Sequence, residues 1–456
     1  MRFASLNVVV WACAVWAFAI VTGCGRHGGS PAREPGASCT AAAGDPCCPA
    51  ADGGAPTCGA SSLTCAGAAC TCLAQVTAVY DTTPVVRRVD GTVWVGADRA
   101  HFTEIVGPSG PLRALDVAAS GSTAYGTAVG CAIVDTDGGV WCFPLVTPLL
   151  DSTDLGAGLG PGVTTSSAVQ VVTSDAAPRT PLRGALQLSA TMNGGGASFC
   201  AVTDVGGIWC WGYGVSGILG RGDGADSTFA RPVLASPQVS FAGAAEVRLG
   251  FASACARKSD GTVWCWGDDT LGQTGVARGD LTPVGTAGTT KTTPFPAGPL
   301  ALPDVAERLA ANPGDTQCAI SRGGLVSCWG WNAYAQAGAA ASPSVPPTLV
   351  VTAGAGAPLA GVVDLAPDRG MQAMCATTAA GALQCWGHPF PPAGDDDATS
   401  PYPVSIPLPA SPLRLPLSSF GGRDGALIYV DPSGKLTIGA GSLPFAAQPP
   451  CGDATP

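Results

Sequence analysis

With 456 residues, only 12% of them charged, and with 64 glycines and 40 prolines, the chain is too rich in turns and too poor in charge for a helical or a highly charged disordered protein. Its composition is that of an all-β fold. A formal net charge of −10 works against binding a phosphate backbone, which needs clustered Lys and Arg, so nucleic acid is not an expected partner.

Twenty cysteines imply an oxidising compartment, because cytosolic thiols are kept reduced. The N-terminus agrees: Arg2 precedes an apolar run from Val8 to Val21 that ends in Val21-Thr22-Gly23-Cys24. This ending resembles the bacterial lipoprotein processing box, small residues before a lipidated cysteine. Residues 1–23 are expected to be the signal peptide and Cys24 the lipidated first residue of the mature protein. An uncleaved anchor helix and ordinary secretion are the alternatives, the first set back by a run short of a span of about 20 residues. Gly25 stands where an aspartate would retain a lipoprotein at the inner membrane. The resemblance therefore implies an extracytoplasmic address, at the outer membrane or elsewhere in a bacterial cell envelope.

Residues 24–38, rich in Gly, Pro and Arg, read as a flexible tether. Residues 39–72 hold Cys39, Cys47, Cys48, Cys58, Cys65, Cys70 and Cys72 in a segment too small for a hydrophobic core, the situation disulfide staples solve. The adjacent Cys47-Cys48 pair is similar to a knottin-type framework. Zinc needs Cys-x-x-Cys spacings or a Cys and His cluster, and neither is present, so no metal is expected. If six of these cysteines pair locally, one remains. Cys451, in the tail 451–456, is the other unassigned mature cysteine, and a Cys72–Cys451 bond would tie the two ends of the intervening region together.

That region, 73–450, is organised by a repeated hairpin, clearest in Cys255-Ala-Arg-Lys-Ser-Asp-Gly-Thr-Val-Trp-Cys-Trp-Gly267. Ser259-Asp260-Gly261 is a three-residue loop whose last position needs positive φ. Counting outward from it, Lys258 faces Thr262 as a hydrogen-bonded pair, so Cys255 and Cys265 form a non-bonded pair with Cα atoms about 4.5 Å apart. That suits a disulfide. The same register gives Cys200–Cys210, Cys318–Cys328 and Cys375–Cys385, while Cys131–Cys142 absorbs one extra residue in the loop Asp135-Thr136-Asp137-Gly138. Val85 with Val95 and Ile428 with Ile438 put apolar pairs in the place of cysteines. The loop glycines 91, 138, 206, 261, 324, 381 and 434 mark seven units spaced by roughly fifty to seventy residues, the period of a propeller.

Before each cysteine hairpin lies a further strand, as in Ala185-Leu-Gln-Leu188, Ala245-Glu-Val-Arg-Leu249 and Val362-Val-Asp-Leu365, and after it a Pro-Val strand start such as Pro232-Val233 or Pro403-Val404. Four strands per unit are the content of a propeller blade. The residues now resemble the regulator-of-chromosome-condensation repeat: Cys255-Ala256, Gly261, Val263, Cys265-Trp266-Gly267, then Leu271-Gly272-Gln273-Thr274-Gly275. Gly217-Ile218-Leu219-Gly220 lacks the glutamine, and Trp331-Asn332 with Gln336 keeps it but has Ala335 for a glycine. The resemblance implies an all-β, seven-bladed propeller. The family's founder exchanges guanine nucleotide on a small GTPase and touches chromatin, but an acidic, disulfide-bonded chain outside the cytoplasm departs from both roles. A secreted bacterial β-lactamase inhibitor with the same propeller, which binds through loop aromatics, is the nearer analogue in location.

Catalytic motifs are missing. The three histidines, His27, His101 and His388, form no zinc-protease pattern, and neither a nucleophile elbow nor a phosphate loop can be written. Ser259-Asp260-Gly261-Thr262-Val263-Trp264 is similar to the aspartate box of sialidase propellers, itself a structural turn. No enzyme activity and no cofactor are expected. Tryptophans recurring at two fixed positions of the hairpin read as packing, whereas Trp331 falls in the following loop and, with Tyr213, Tyr334 and Phe390, makes a candidate aromatic patch for a partner. The sequence thus describes a monomeric, lipid-anchored scaffold that binds a protein or a cell-envelope polymer. An inhibitor of a secreted enzyme and a glycan-binding envelope protein are the alternatives.

Overall fold

The computed structural model describes most of residues 73–405, without 79–82, 122–127, 146–166, 277–281, 284–290, 368–371, 389–398 and a few single or paired positions. It also describes the strand segments 64–66, 69–71, 428–430, 436–438 and 443–444. Cys24, Cys72, Phe390 and Cys451 lie outside the described residues.

Six antiparallel sheets follow one another along the chain. The first joins Leu73–Ala78, Pro84–Arg88, Val93–Asp98 and His101–Glu104, and the second Ala114–Ser120, Val129–Val134, Val140–Pro144 and Val169–Gln170. The third joins Ala185–Asn193, Gly196–Thr203, Ile208–Gly212 and Ser227–Pro232. The fourth joins Ala244–Leu249, Ser253–Lys258, Val263–Asp268 and Lys291–Ala297, with Thr282–Pro283 as a fifth strand at its edge. Ala306–Asn312, Thr316–Ser321, Val326–Asn332 and Ser342–Leu349 make the fifth sheet, and Val362–Pro367, Ala373–Thr378, Leu383–Gly387 and Ser400–Ser405 the sixth. A three-stranded sheet of Ile428–Val430, Leu436–Ile438 and Leu443–Pro444 comes last. From the second to the sixth of these sheets, the first strand of each packs on the sheet before it, the stacking of propeller blades. Ahead of them, Thr64–Ala66 and Ala69–Thr71 form a small hairpin in which Cys65 and Cys70 are register partners.

The hairpins have the register that the loop glycines dictate. Cys255 pairs with Cys265 and Arg257 with Val263, Lys258 N–H donates to Thr262 O at 2.9 Å, and Gly261 has φ +85°. Five disulfides, Cys131–Cys142, Cys200–Cys210, Cys255–Cys265, Cys318–Cys328 and Cys375–Cys385, join register partners whose Cα atoms are 4.0–4.1 Å apart. Val85 and Val95 are partners in the first sheet, as Ile428 and Ile438 are in the last. The aspartates of two hairpin loops are structural. Asp260 Oδ1 accepts the N–H and hydroxyl of Thr262, whose Oγ1 accepts Trp264 Nε1, and Asp90, Thr92 and Trp94 repeat the relay.

The core is a series of layers between sheets. Strands in the middle of a blade are covered on both faces, so Gly196–Thr203 is buried throughout instead of alternating. The disulfide of one blade packs against the tryptophan that follows the second cysteine of the next: Cys200 and Cys210 share a cluster with Trp266, Cys255 and Cys265 with Trp329, and Cys318 and Cys328 with Trp386. Each of these indoles then donates its Nε1–H backwards, Trp266 to Ile218 O, Trp329 to Gln273 O and Trp386 to Gln336 O, at 2.7–3.1 Å. A buried indole that fills the gap and satisfies its N–H in the neighbouring loop fixes the spacing of two blades.

Candidate functional site

The first strands of the six sheets face a common cavity, and each carries the same irregularity. Against its neighbouring strand the register jumps from Leu73 to Gln75, Ala114 to Asp116, Ala185 to Gln187, Ala244 to Glu246, Ala306 to Arg308 and Val362 to Asp364. A β-bulge re-aims the side chain beside it. Here the residue after the bulge is polar in all six strands.

These side chains reach the next blade. Gln75 Oε1 accepts the N–H of Val117 at 3.2 Å while its Nε2 donates to Val117 O at 3.0 Å. Gln187 treats Val247 in the same way, at 3.0 and 3.2 Å. A glutamine amide thus supplies the donor and acceptor that a strand backbone would have offered. A carboxylate only accepts. Asp116 Oδ2 takes the N–H of Leu188 at 2.7 Å and Glu246 Oε2 that of Leu309 at 3.1 Å, so the carbonyl of Leu309 is served by Arg248 Nε at 3.2 Å. Between the fifth and sixth blades the contact is an ion pair, Arg308 Nη1 to Asp364 Oδ1 at 3.6 Å.

The cavity enclosed by these strands has a volume of about 540 Å³ and is lined by Arg87, Arg248, Arg257, Arg308, Asp116, Glu246, Glu307 and Asp364 among others. Glu246 is held on both oxygens, by Arg248 at 3.0 Å and Arg257 at 3.2 Å. Burial raises the Asp116 carboxyl above its ordinary value against the pull of the Leu188 N–H and the Gln75 amide, and burial lowers the Arg87 guanidinium, with Asp116 opposing.

At the loop end, opposite the hairpin loops, a second group of side chains converges. Trp331 and Tyr334 meet edge to face with centroids 5.4 Å apart, and Tyr334 stacks on His388 of the sixth blade at 5.5 Å and 30°. All three are partly exposed. Their backbone is held from beneath: Trp331 N–H donates to Asp315 O, Tyr334 N–H to the side chain of buried Gln336, and buried Asn332 accepts the Ala337 N–H. Tyr213 occupies the position of Trp331 in the third blade, where its backbone bonds to Ala197 and Ser198, and no ring contact links it to this cluster among the described residues. The structure therefore groups Trp331 and Tyr334 with His388, and places Tyr213 on another blade. Asp223 and Asp226 are engaged within their own loop, by Arg221 and by the Gly214 N–H.

Beneath the same face lies Asp315, buried, with φ +64°. Its Oδ1 accepts the Ala252 N–H and the Ser253 hydroxyl of the fourth blade, both at 3.0 Å. Burial, followed by the nearby charge of Asp268, pushes its carboxyl up to about 6. Neither Asp315 nor the ring beside the bulges is visible in sequence as a motif. The signal of the ring in the sequence is a polar residue two positions after a small or aliphatic one near the start of each first strand.

Residues 245–273 match the regulator of chromosome condensation (RCC1) repeat. No curated protein sequence matches the chain. Among solved structures it is similar to human WBSCR16, with 15% identity over 75% of this chain and 85% of that one and a TM-score of 0.54. It is also similar to yeast RCC1 (Prp20) as crystallised with Kap60, at 18% identity, 72% and 74% coverage and a TM-score of 0.51. Prp20p from Saccharomyces cerevisiae gives 16% identity, 73% and 76% coverage and a TM-score of 0.51. The chain therefore folds as a β-propeller similar to these structures and carries an RCC1-type repeat at residues 245–273.

Proposed function

We propose that this protein is a lipid-anchored scaffold of the cell envelope that works by binding a partner protein through the loops around Trp331, and not by catalysis. The observation that carries the reading is the Trp331–Tyr334–His388 cluster, three partly exposed rings built across two blades on a backbone pinned by buried Asn332 and Gln336. Rigid aromatic side chains of this kind dominate binding hot spots. Propellers of the same fold support a protein partner: one was crystallised with Kap60, and Prp20p was described with its binding properties to Gsp1p and histones. An extracytoplasmic place is supported by five disulfides. The anchor rests on Cys24 and the run before it.

Affinity capture from native envelope with the wild-type protein and a Trp331→Ala/Tyr334→Ala variant tests the binding reading. One stoichiometric protein retained by the wild type and lost by the variant supports it, and loss of that partner's own activity on binding makes the scaffold an inhibitor. Equal capture by both forms overturns the assignment to this cluster, and binding confined to a sugar array replaces the protein partner with a glycan. Globomycin treatment tests the anchor separately, since a mature chain beginning anywhere but Cys24 removes it.

A further inference from the structure

The cavity between the first strands is a place apart from the aromatic loops, and its chemistry is unusual for a structural void. Among the described lining residues, the arginines Arg87, Arg248, Arg257 and Arg308 face the carboxylates Asp116, Glu246, Glu307 and Asp364. Most are spent on one another or on backbone, as the hydrogen bonds of Glu246, Asp116, Arg248 and Gln75 show. Two are not. The Arg308 side chain is 54% exposed and has only the 3.6 Å approach to Asp364, while Glu307 beside it is exposed and forms no ion pair among the described residues. Leu115 also lines the cavity, yet 51% of it is exposed, an apolar surface on the wall of the second blade with nothing packed over it among the described residues.

We infer that this cavity is a binding site for a short zwitterionic peptide, its carboxylate received by Arg308, its ammonium by Glu307 and an apolar side chain by Leu115. A guanidinium takes a carboxylate through two parallel hydrogen bonds, a geometry that a lysine could not offer. Among the described lining residues acid and base are equal in number, which points to a ligand carrying both charges. A multiply charged anion such as phosphate meets as much repulsion as attraction here, whereas a molecule carrying one charge of each sign is matched on both. The volume of about 540 Å³ lies within the range of small-molecule sites, about 300–1,000 Å³, and admits two or three residues. The walls are held rigid by the bulge side chains that join blade to blade, so the site is formed before the ligand arrives, which keeps the ordering cost of binding low.

Isothermal titration of the full mature protein with trialanine tests this, beside trialanine amide, N-acetyl-trialanine and inorganic phosphate. Saturable one-site binding of trialanine is expected, weakened about tenfold or more by amidation and by Arg308→Ala, as loss of a charge-assisted pair implies. N-acetylation and Glu307→Gln should weaken it in the same sense. Both substituted side chains are exposed, and an unchanged near-UV spectrum shows that the variants fold; if Arg308→Ala does not, Glu307→Gln decides. No saturable binding of trialanine, equal affinity for the amide, or binding of phosphate alone overturns the inference.

Discussion

Gly261 closes its hairpin at φ +85°, and a Cβ there would stand 2.8 Å from Val305 Cβ and 3.1 Å from Ala306 O of the next blade. Its carbonyl accepts the Ala306 N–H at 3.0 Å, so the loop is also the dock for the following sheet. Gly138, Gly206 and Gly324 receive Ala185, Ala244 and Val362 in the same way. Gly272, at φ +76° with no atom within 4 Å of a built Cβ, separates the two demands. Gly272→Ala should cost only the left-handed penalty of about 1–2 kcal/mol, and Gly261→Ala at least twice as much. Urea titration compares them, and equal losses would mean that docking contributes nothing. Asp315 makes a second prediction at this scale. An unfolded aspartate titrates near 3.9, and this one at about 6. Below about pH 4 both states are protonated and no penalty exists. Between about 4 and 6 the folded state alone holds the proton, so stability falls as pH rises, by roughly 3 kcal/mol in all at the usual 1.36 kcal/mol per unit. Asp315→Asn keeps an oxygen for Ala252 and Ser253 and should flatten Tm across that window. An unchanged slope from pH 4 to 7 rules Asp315 out as its source.

At the scale of the element, the disulfide and the aliphatic pair are alternative fillings of one cross-strand position. Cys255 and Cys265 are buried, as are Val85 and Val95, and each pair points into the layer between blades. Cys255→Val with Cys265→Val should therefore fold and lose about 2–3 kcal/mol, the chain-entropy value for a loop of this length; failure to fold would show that the sulfurs fill a space valine cannot. The first strands are held by other means. Gln187→Glu keeps the bond from Val247 N–H and loses the one to Val247 O, whereas Gln187→Ala loses both. The expected costs are about 1 and about 2 kcal/mol, and the reverse order would contradict the reading of the amide as a backbone substitute. These two devices differ in how far the sequence reveals them. The hairpin was legible because its partners lie ten or eleven residues apart and repeat the same letters. The bulge ring was not, since Asp116 meets Leu188 and Glu246 meets Leu309 across 72 and 63 residues, and glutamine, aspartate, glutamate and arginine fill one position in turn. Sequence alone groups Tyr213 with Trp331 for a related reason: equal positions in a repeat say nothing about which blades stand side by side, whereas the stacking of Tyr334 on His388 depends on it.

Over the whole molecule, each junction between described blades is made by a hairpin loop receiving the next first strand, with a side chain beside the bulge or an indole adding a further bond. Such an array gains its stability from neighbouring pairs, and its ends are the places with only one neighbour. The first sheet draws all four strands from consecutive chain, Leu73–Ala78 through His101–Glu104, and the last draws its three from Ile428–Pro444. No strand is shared between the two ends among the described residues, so in a closed ring of seven blades the ends would need another tie. Cys72 immediately precedes the first inner strand, and Cys451 follows the last strand by a few residues. We propose the bond between them on that ground. A loop of nearly the whole propeller corresponds to about 6 kcal/mol in the chain-entropy model. Non-reducing peptide mapping should recover Cys72 and Cys451 in one linked fragment, and Cys451→Ser should lower Tm by several degrees while the five hairpin disulfides remain. A free thiol at Cys451 in the native protein would leave the ring to be closed by packing alone.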